Sequence, residues 1–415
     1  MQYIHPYFNY IFSCIIAVGV SMFSIPNIIY VAKRKRLLDM PDNERKLHKR
    51  IVPNLGGIGI FFSYIIVTSL FMDAGTVTKW NYITASLLIL FITGIKDDLV
   101  QISASKKFLA QFAAAVIIVW FADIRISSLH GFLNIYQLPL WFSVAFSIIG
   151  CIFVTNAFNL IDGIDGLAGT IGVFICTTFG ILLAMQGNSG AAIMAFSLVG
   201  AILGFLRYNI SPAKIFMGDT GSLIIGFSVA ALGILFINSY QATSIIQHII
   251  PTAQGSLLIA LSILFIPVFD TFRVFTIRIL KGKSPFSPDR RHLHHYLLDL
   301  GLSHNQTVFI LLVANILIVA LSFGVQRYNI NLAIASLLFV SFGLFSILYF
   351  LRRAQMAQPV HSVVTSMGNT TDNYFAPSAT TAMHTPIHHT TSTNNVIVSG
   401  KKIHIDEPEE ALLDQ

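Results

Sequence analysis

Residues 217–238 read MGDTGSLIIGFSVAALGILFIN, in which a single carboxylate, Asp219, is followed by 19 residues without a charged side chain. An apolar run of about 17 to 25 residues is long enough to cross a bilayer as one helix. Carboxylates are costly near hydrocarbon, so those beside a span are often functional. This stretch therefore predicts a transmembrane helix with a candidate functional group at one end.

The whole chain repeats this pattern. Of its 415 residues, 54% are hydrophobic and 11% are charged, whereas a soluble domain carries about 25% charged residues. We therefore predict an all-α fold, a polytopic transmembrane helix bundle with about eleven spans, in one integral membrane domain over residues 1–353. The predicted spans lie at residues 10–31, 55–72, 80–95, 108–121, 138–155, 167–185, 191–206, 221–238, 257–277, 307–323 and 330–351.

Residues 354–415 have a different composition. They are rich in Thr, Ser, Asn and His and end in an acidic run. A segment of this kind buries too little apolar surface to offset the entropy lost on ordering. It is predicted to be a polar, disordered cytoplasmic tail.

The charged residues indicate how the bundle is oriented. If the tail and the loops after odd-numbered spans share one side, that side holds 23 of the 26 Lys and Arg residues, and Lys79, Arg125 and Arg327 fall opposite. The positive-inside rule makes the basic side cytoplasmic. The same side holds 17 of the 19 Asp and Glu residues, all except Asp73 and Asp123. We therefore expect one cytoplasmic-face active site, and no nucleic-acid partner, because the cations are spread over loops between spans.

Three carboxylates border predicted spans directly. Asp97 and Asp98 end the third span, where they repel each other and oppose the helix dipole, which favours a function over a solvated helix end. Asp219 precedes the eighth span and offers a hard oxygen ligand for Mg²⁺. In the same turn, Thr220 or Ser222 could cap the helix, and a helix N-terminus behind glycine attracts phosphate. Both interpretations of this turn are compatible.

Residues 156–166 read NAFNLIDGIDG and follow the fifth span. In a helix, Asn156 and Asn159 would share one face, as would Asp162 and Asp165. The glycines favour a loop whose backbone approaches a ligand closely. A Ca²⁺ loop is excluded because the stretch lacks the one-in-two spacing and the terminal glutamate.

A basic cluster lies in the loop after the ninth span: Arg290, Arg291, His292, His294 and His295. A zinc site would require Cys or carboxylate partners, and all three cysteines fall in apolar runs. Imidazoles beside arginines favour contacts with pyrophosphate oxygens instead.

Two further features lie outside these clusters. Lys46 and His48, in the loop after the first span, are candidates for phosphate contact, although topology alone would explain basic residues there. Asp270 has Arg273 three residues later, which predicts an ion pair inside the bundle.

Four motifs occur in the order typical of one enzyme family: Asp97-Asp98, residues 156–165, residues 218–222 (GDTGS) and residues 292–295 (HLHH). On these motifs the chain resembles the polyprenyl-phosphate N-acetylhexosamine-1-phosphate transferases, which include the WecA-type enzymes and the muramyl-pentapeptide enzyme MraY. The resemblance covers about residues 46–307. The HLHH motif is similar to the WecA type, since the muramyl branch usually has three successive histidines and an acidic residue.

The resemblance implies Mg²⁺-dependent transfer of N-acetylhexosamine-1-phosphate, with GlcNAc-1-phosphate favoured, from a UDP-sugar to undecaprenyl phosphate. UMP would be released at the bacterial inner membrane and a lipid-linked cell-envelope glycan begun. Mn²⁺ is a candidate substitute ion and a homodimer a candidate assembly, while the sequence leaves the oligomeric state open. The implied roles are metal ligand for Asp219, catalysis for Asp97, Asp98, Asp162 and Asp165, and substrate binding for Lys46, His48, Asn156, Asn159, Arg290, Arg291, His292, His294 and His295. The alternatives are a phospho-MurNAc-pentapeptide transferase and a cation-coupled transporter, whose carboxylates would lie near the bilayer midplane.

Overall fold

The computed structural model describes residues 6–37, 52–72, 77–240, 244–285 and 290–356. These ranges contain helices and no β-strand, which confirms the predicted all-α fold. Residues 357–415, and with them nearly all of the predicted tail, lie outside the described residues. The helices are α1 (Pro6–Arg34), α2 (Gly56–Phe71), α3 (Val77–Leu99), α4 (Ala104–Val116), α5 (Leu140–Ile161), α6 (Leu167–Met185), α7 (Ser189–Asn209), α8 (Gly218–Asn238), α9 (Ser244–Ile249), α10 (Ala253–Ile263), α11 (Phe265–Leu280), α12 (Leu293–Asp299), α13 (His304–Val325) and α14 (Ile330–Met356).

Helix length and apolar composition support eight to nine of the eleven predicted spans. In the described ranges, eight helices are long and apolar enough to cross a membrane: α1, α4 with its extension to Phe121, α5, α6, α7, α8, α13 and α14. Helices α10 and α11 pass the same test as a pair bent by 70°, which gives at most nine. Helix α2 has 16 residues, and α3 ends in the charged run Lys96-Asp97-Asp98. Eleven spans are therefore not confirmed, although a helix or helix pair lies at each predicted position.

Helix α8 forms the centre of the bundle. Every residue of its apolar window is buried, and it packs against α2, α3, α5 and α6. Small residues permit this close packing: a Cβ added to Gly94 of α3 would lie 2.5 Å from Cα of Thr220. The start of α8 is therefore held directly against the end of α3.

The outer helices expose large apolar side chains. Phe23 in α1 is 79% exposed, Leu280 in α11 is 80% exposed and Phe339 in α14 is 82% exposed. Exposure of apolar side chains on this scale would be unfavourable in water and is expected where a helix faces lipid. The chain is therefore a multi-pass membrane protein.

A short extended segment fixes the entry into α8. The amide of Phe216 donates to the carbonyl of Pro53, and the amides of Gly56 and Gly57 donate to the carbonyls of Phe216 and Met217, each at 2.9 Å. The start of α2 and the start of α8 consequently lie side by side, at the end of the bundle where α3 ends.

Candidate functional site

Asp98 caps helix α8 although it belongs to α3. Its carboxylate accepts hydrogen bonds from the backbone amides of Asp219 and Thr220, at 2.7 and 3.1 Å, and from the Thr220 hydroxyl at 2.6 Å. These amides are the unpaired donors at the positive end of the α8 dipole. The side chain of Ser222 donates to the carbonyl of Gly218 at 3.1 Å and makes no capping bond to a backbone amide. The cap expected from Thr220 or Ser222 is thus supplied by Asp98.

Asp97 and Asp219 converge on one cation. Lys107, in α4, places its Nζ atom 2.7 Å from Oδ2 of Asp97 and also in contact with Oδ2 of Asp219. The second oxygen of Asp97 accepts the amide of Ile102 at 2.8 Å. The repulsion expected between neighbouring carboxylates is therefore offset, since Asp98 faces a helix N-terminus and Asp97 faces an ammonium group.

The two asparagines of α5 have different partners. Nδ2 of Asn159 donates to Oδ1 of Asp219 at 2.9 Å and to the Ser222 hydroxyl at 2.8 Å. Nδ2 of Asn156 donates to Oε1 of Gln111 in α4 at 2.6 Å. Asn159 therefore orients the Asp219 carboxylate, whereas Asn156, one turn earlier, joins α5 to α4.

Residues 162–166 form the loop between α5 and α6. The carboxylate of Asp162 accepts no hydrogen bond from any described residue. Burial, followed by the negative charges of Asp219, Asp98 and Asp165, raises the pKa of Asp162 to about 7. Asp165 is buried, accepts the amide of Ala213 at 3.1 Å and lies 3.6 Å from Nδ1 of His304. Of the two aspartates, Asp162 is available to a ligand and Asp165 supports the surrounding loops.

Residues of α11 hold the histidine cluster in place. Asp270 forms the predicted ion pair with Arg273 at 2.7 Å. Its carboxylate also lies 2.9 Å from Nδ1 of His292 and accepts the amide of Leu293 at 3.0 Å. Because Asp270 and Arg273 are buried, this network fixes the backbone and the first ring of the HLHH motif.

His294 connects the histidine cluster to the Asp162 loop. Its ring is stacked on that of His292, with 5.7 Å between centroids, and it is 2% exposed. A Cβ added to Gly163 would lie 2.5 Å from Nε2 of His294, so the loop backbone packs against the imidazole. Burial and the neighbouring His295 lower the pKa of His294 to about 3, so the ring is neutral at pH 7.

The remaining basic candidates are more peripheral. Arg290 is exposed and lies 3.9 Å from Asp299, while the carbonyl of Arg291 accepts a hydrogen bond from Arg273. His295 is half-buried, and burial and the charge of Arg290 lower its pKa. Lys46 and His48 lie outside the described residues.

The carboxylates of this site suit a divalent cation. Within the described ranges no three carboxylate, imidazole or thiol side chains form a complete metal site. Mg²⁺ does not require one, because it is usually held by one or two carboxylates together with water and substrate phosphates. Asp97 and Asp219 already converge on one cationic group, so this pair fits such an ion.

The sequence does not identify two features that organise the site, the cation Lys107 and the contact between Asp270 and His292. The charge pattern places Lys107 among the cations that set topology, although a carboxylate pair at a helix end indicates that a cation lies nearby. The bond between Asp270 and His292 spans 22 residues and has no sequence signal beyond the predicted pairing with Arg273.

Comparison with known proteins identifies relatives of this chain. A family model described as glycosyl transferase family 4 matches residues 80–237. The probable undecaprenyl-phosphate N-acetylglucosaminyl 1-phosphate transferase of Bacillus subtilis (strain 168) is 33% identical over 309 residues, 72% of this chain and 80% of the relative. The undecaprenyl-phosphate alpha-N-acetylglucosaminyl 1-phosphate transferase of Escherichia coli (strain K12) is 32% identical over 308 residues, 70% and 77% of the two chains. The enzyme of that name from Yersinia pestis is 30% identical over 327 residues, 75% and 85%.

Proposed function

Because this chain belongs to the family of undecaprenyl-phosphate N-acetylglucosaminyl 1-phosphate transferases, we propose that it moves GlcNAc-1-phosphate from a UDP-sugar to undecaprenyl phosphate. The chain is a glycosyl-1-phosphate transferase, and its acceptor is undecaprenyl phosphate. The finer parts of the proposal are the UDP-linked N-acetylhexosamine donor, the release of UMP and a product that begins a lipid-linked cell-envelope glycan.

The observation that carries this proposal is the convergence of three chain segments at the start of α8. Asp97 and Asp98 come from α3, Asn159 from α5 and Asp219 from α8, and direct contacts join them. Phosphoryl transfer depends chiefly on positioning the reactants and on neutralising their negative charge. A cluster of fixed carboxylates around a cation, beside a helix N-terminus, supplies both.

Mg²⁺, with Mn²⁺ as a substitute, would be held by Asp219 with Asp97 as the second carboxylate. When bound, such an ion neutralises the charge of the phosphate groups. Asn159 holds Asp219 from one side and Lys107 contacts it from the other. Asp98 positions Asp219 by binding the backbone of its turn.

Asp162 is the carboxylate best placed to contact the acceptor, since it accepts no hydrogen bond from any described residue. A phosphate monoester with a second pKa near 6 is mostly a dianion at pH 7. Most acceptor molecules are therefore already deprotonated and do not require a general base. Asp162 would therefore orient the acceptor, and Asp165 would hold its loop in place.

The histidine cluster is proposed to bind the donor pyrophosphate. Asp270 fixes His292, and neutral His294 packs against the Asp162 loop, which couples donor binding to the acceptor side of the site. His295 and Arg290 extend toward solvent from the same segment. Lys46, His48, Asn156 and Arg291 stay predicted substrate-binding residues.

The location of the enzyme is also part of the proposal. The predicted topology puts 23 of the 26 Lys and Arg residues on the side of the acidic cluster, so the site would face the cytoplasm from the bacterial inner membrane. A homodimer and a separate cytoplasmic tail from residue 354 are further predictions.

The test uses purified full-length protein with Mg²⁺ and undecaprenyl phosphate, offered a panel of UDP-sugars and scored for UMP. We expect release with UDP-GlcNAc, and at least a hundredfold loss in Asp219→Asn. Asp123→Asn is the matched control, because it makes the same change at an exposed residue whose positive φ of 51° also suits Asn. Release with UDP-MurNAc-pentapeptide alone would favour the muramyl alternative. Normal turnover in Asp219→Asn would refute the metal assignment.

A further inference from the structure

A cavity of about 730 Å³ lies at the end of the bundle opposite to the acidic cluster. Its wall includes Ser239, twenty residues after Asp219 and thus about 30 Å away along α8. The other contributors are the start of α3, the segment that follows α4, and the first turn of α7. The transferase site neither uses nor reaches this cavity.

The charged side chains of the cavity leave one positive charge uncompensated. The described lining residues include three charged groups: Lys79, Asp123 and Arg125. Nε of Arg125 lies 2.7 Å from Oδ1 of Asp123, and its Nη1 donates to the Ser143 hydroxyl at 3.0 Å, which fixes the guanidinium. Lys79 is exposed and has no ion pair with any described residue. The cavity is therefore suited to an anion.

The placement of these cations is unusual for this side of the protein. The charge pattern leaves only three Lys and Arg residues opposite to the basic face: Lys79, Arg125 and Arg327. Two of the three line this one cavity. Because basic residues are disfavoured on that side, their concentration in one cavity calls for a ligand.

The rest of the wall is mixed. Ile83, Met194 and Leu235 are apolar lining residues, and Ser127, Asn188, Asn238 and Ser239 are polar ones. Next to the cavity, Trp120 and Trp141 are 48% and 73% exposed and stack with 5.6 Å between ring centroids. Exposed tryptophans of this kind sit at headgroup level, so a ligand here could keep a phosphate in the cavity and acyl chains in the bilayer.

We propose that this cavity binds the phosphate headgroup of an anionic phospholipid, with Lys79 and Arg125 as the cationic contacts. Basic pockets between transmembrane helices bind lipid headgroups by the same electrostatic attraction. Free phosphate and a lipid headgroup offer the same phosphate anion. The exposed tryptophan pair beside the cavity, with the apolar part of its lining, favours the lipid form. This assignment is independent of the transferase activity.

The experiment measures lipid binding to the purified full-length protein in uncharged detergent by native mass spectrometry. The probes are phosphatidylglycerol, phosphatidylcholine and inorganic phosphate. We expect phosphatidylglycerol to bind more tightly than phosphatidylcholine, and Lys79→Gln to weaken it about fivefold. Lys79→Arg should retain binding. Arg327→Gln is the matched control, because Arg327 is exposed on the same predicted side and lies outside the cavity.

Three outcomes would overturn the proposal. The first is that Lys79→Gln binds phosphatidylglycerol as tightly as the wild type. The second is that Arg327→Gln loses as much phosphatidylglycerol affinity as Lys79→Gln. The third is that inorganic phosphate displaces the lipid at equal concentration. An unchanged melting temperature of Lys79→Gln in lipid-free detergent shows that the variant is folded, so that a loss of binding reports on the cavity itself.

Discussion

Replacing Asp98 with asparagine should damage the enzyme through the position of Asp219 and not through lost proton transfer. The Asp98 carboxylate accepts two backbone amides and one hydroxyl from the first turn of α8, at 2.6 to 3.1 Å. An asparagine keeps one acceptor oxygen and turns an NH₂ group toward the remaining donors. Hydrogen bonds to a charged group contribute about 1.5 to 3 kcal/mol each. Loss of one to two of them should lower the free energy of unfolding by about 1.5 to 6 kcal/mol.

The matched perturbation is Thr220→Val, which removes one of the three donors and keeps the shape of the side chain. It should cost about 1.5 to 3 kcal/mol. Because both variants remove the bond between Asp98 and Thr220, the double variant should be more stable than the sum of the two losses predicts, by about 0.5 to 3 kcal/mol. Unfolding in detergent, followed by intrinsic fluorescence, measures all three values.

Activity measurements distinguish a positioning role of Asp98 from a role in proton transfer. If Asp98 holds Asp219 in place, both single variants should raise the Mg²⁺ concentration needed for half-maximal UMP release, with Asp98→Asn the larger effect. The Thr220 hydroxyl does not ionise near pH 7 and cannot act as a general base, so a shared shift in the Mg²⁺ requirement would point to the position of Asp219. Strictly additive stabilities, or an unaltered Mg²⁺ requirement in Thr220→Val beside an inactive Asp98→Asn, would refute the reasoning.

Two further predictions concern the contact between the histidine cluster and the Asp162 loop. Gly163→Ala should reduce stability by about 1 to 3 kcal/mol and lower activity, because its Cβ would lie 2.5 Å from Nε2 of His294. The control Gly150→Ala has no atom within 4 Å of its Cβ and should change neither stability nor activity. Equal losses in the two variants would contradict the contact between Gly163 and His294. His294 has a folded pKa of about 3 against 6.5 for a free imidazole, so its contribution to stability is complete above pH 6.5 and falls by about 1.4 kcal/mol per pH unit below it. The melting temperature of the wild type should therefore drop more between pH 6.5 and 5.5 than that of His294→Gln, and parallel curves would exclude this explanation.

Most of the helical architecture could be predicted because long apolar runs leave a chain few alternatives in a membrane. The sequence predicts one span over residues 257–277, whereas the structure has a bend of 70° between α10 and α11. Pro267, in the first turn of α11, was the available signal, because proline removes a backbone donor and disfavours helix before it. Eleven spans are not confirmed, because hydropathy alone does not establish whether a 16-residue helix such as α2 makes a full crossing.

The site was predicted as a set of motifs but not as a set of contacts. Asp97, Asp98, Asn159 and Asp219 were expected to meet, and direct bonds join them. The partner of Asp98 lies 122 residues away, and its choice depends on the glycines that bring α3 against α8. Asn156 shares a helix face with Asn159, yet one turn along α5 is enough to give it Gln111 as its partner.

The charge balance of the site explains why a further cation is needed in the proposed reaction. Asp98 accepts hydrogen bonds from the N-terminus of α8, yet burial raises its pKa to about 7. Asp97 and Asp219 share the single ammonium of Lys107. Asp162 has no cationic partner in the described ranges. A pyrophosphate and a lipid phosphate would add several negative charges to a site that is already acidic, and one lysine between two carboxylates cannot neutralise them. A divalent ion at Asp219 resolves this imbalance, which is why we place the Mg²⁺ requirement at that residue and the orientation of the acceptor at Asp162.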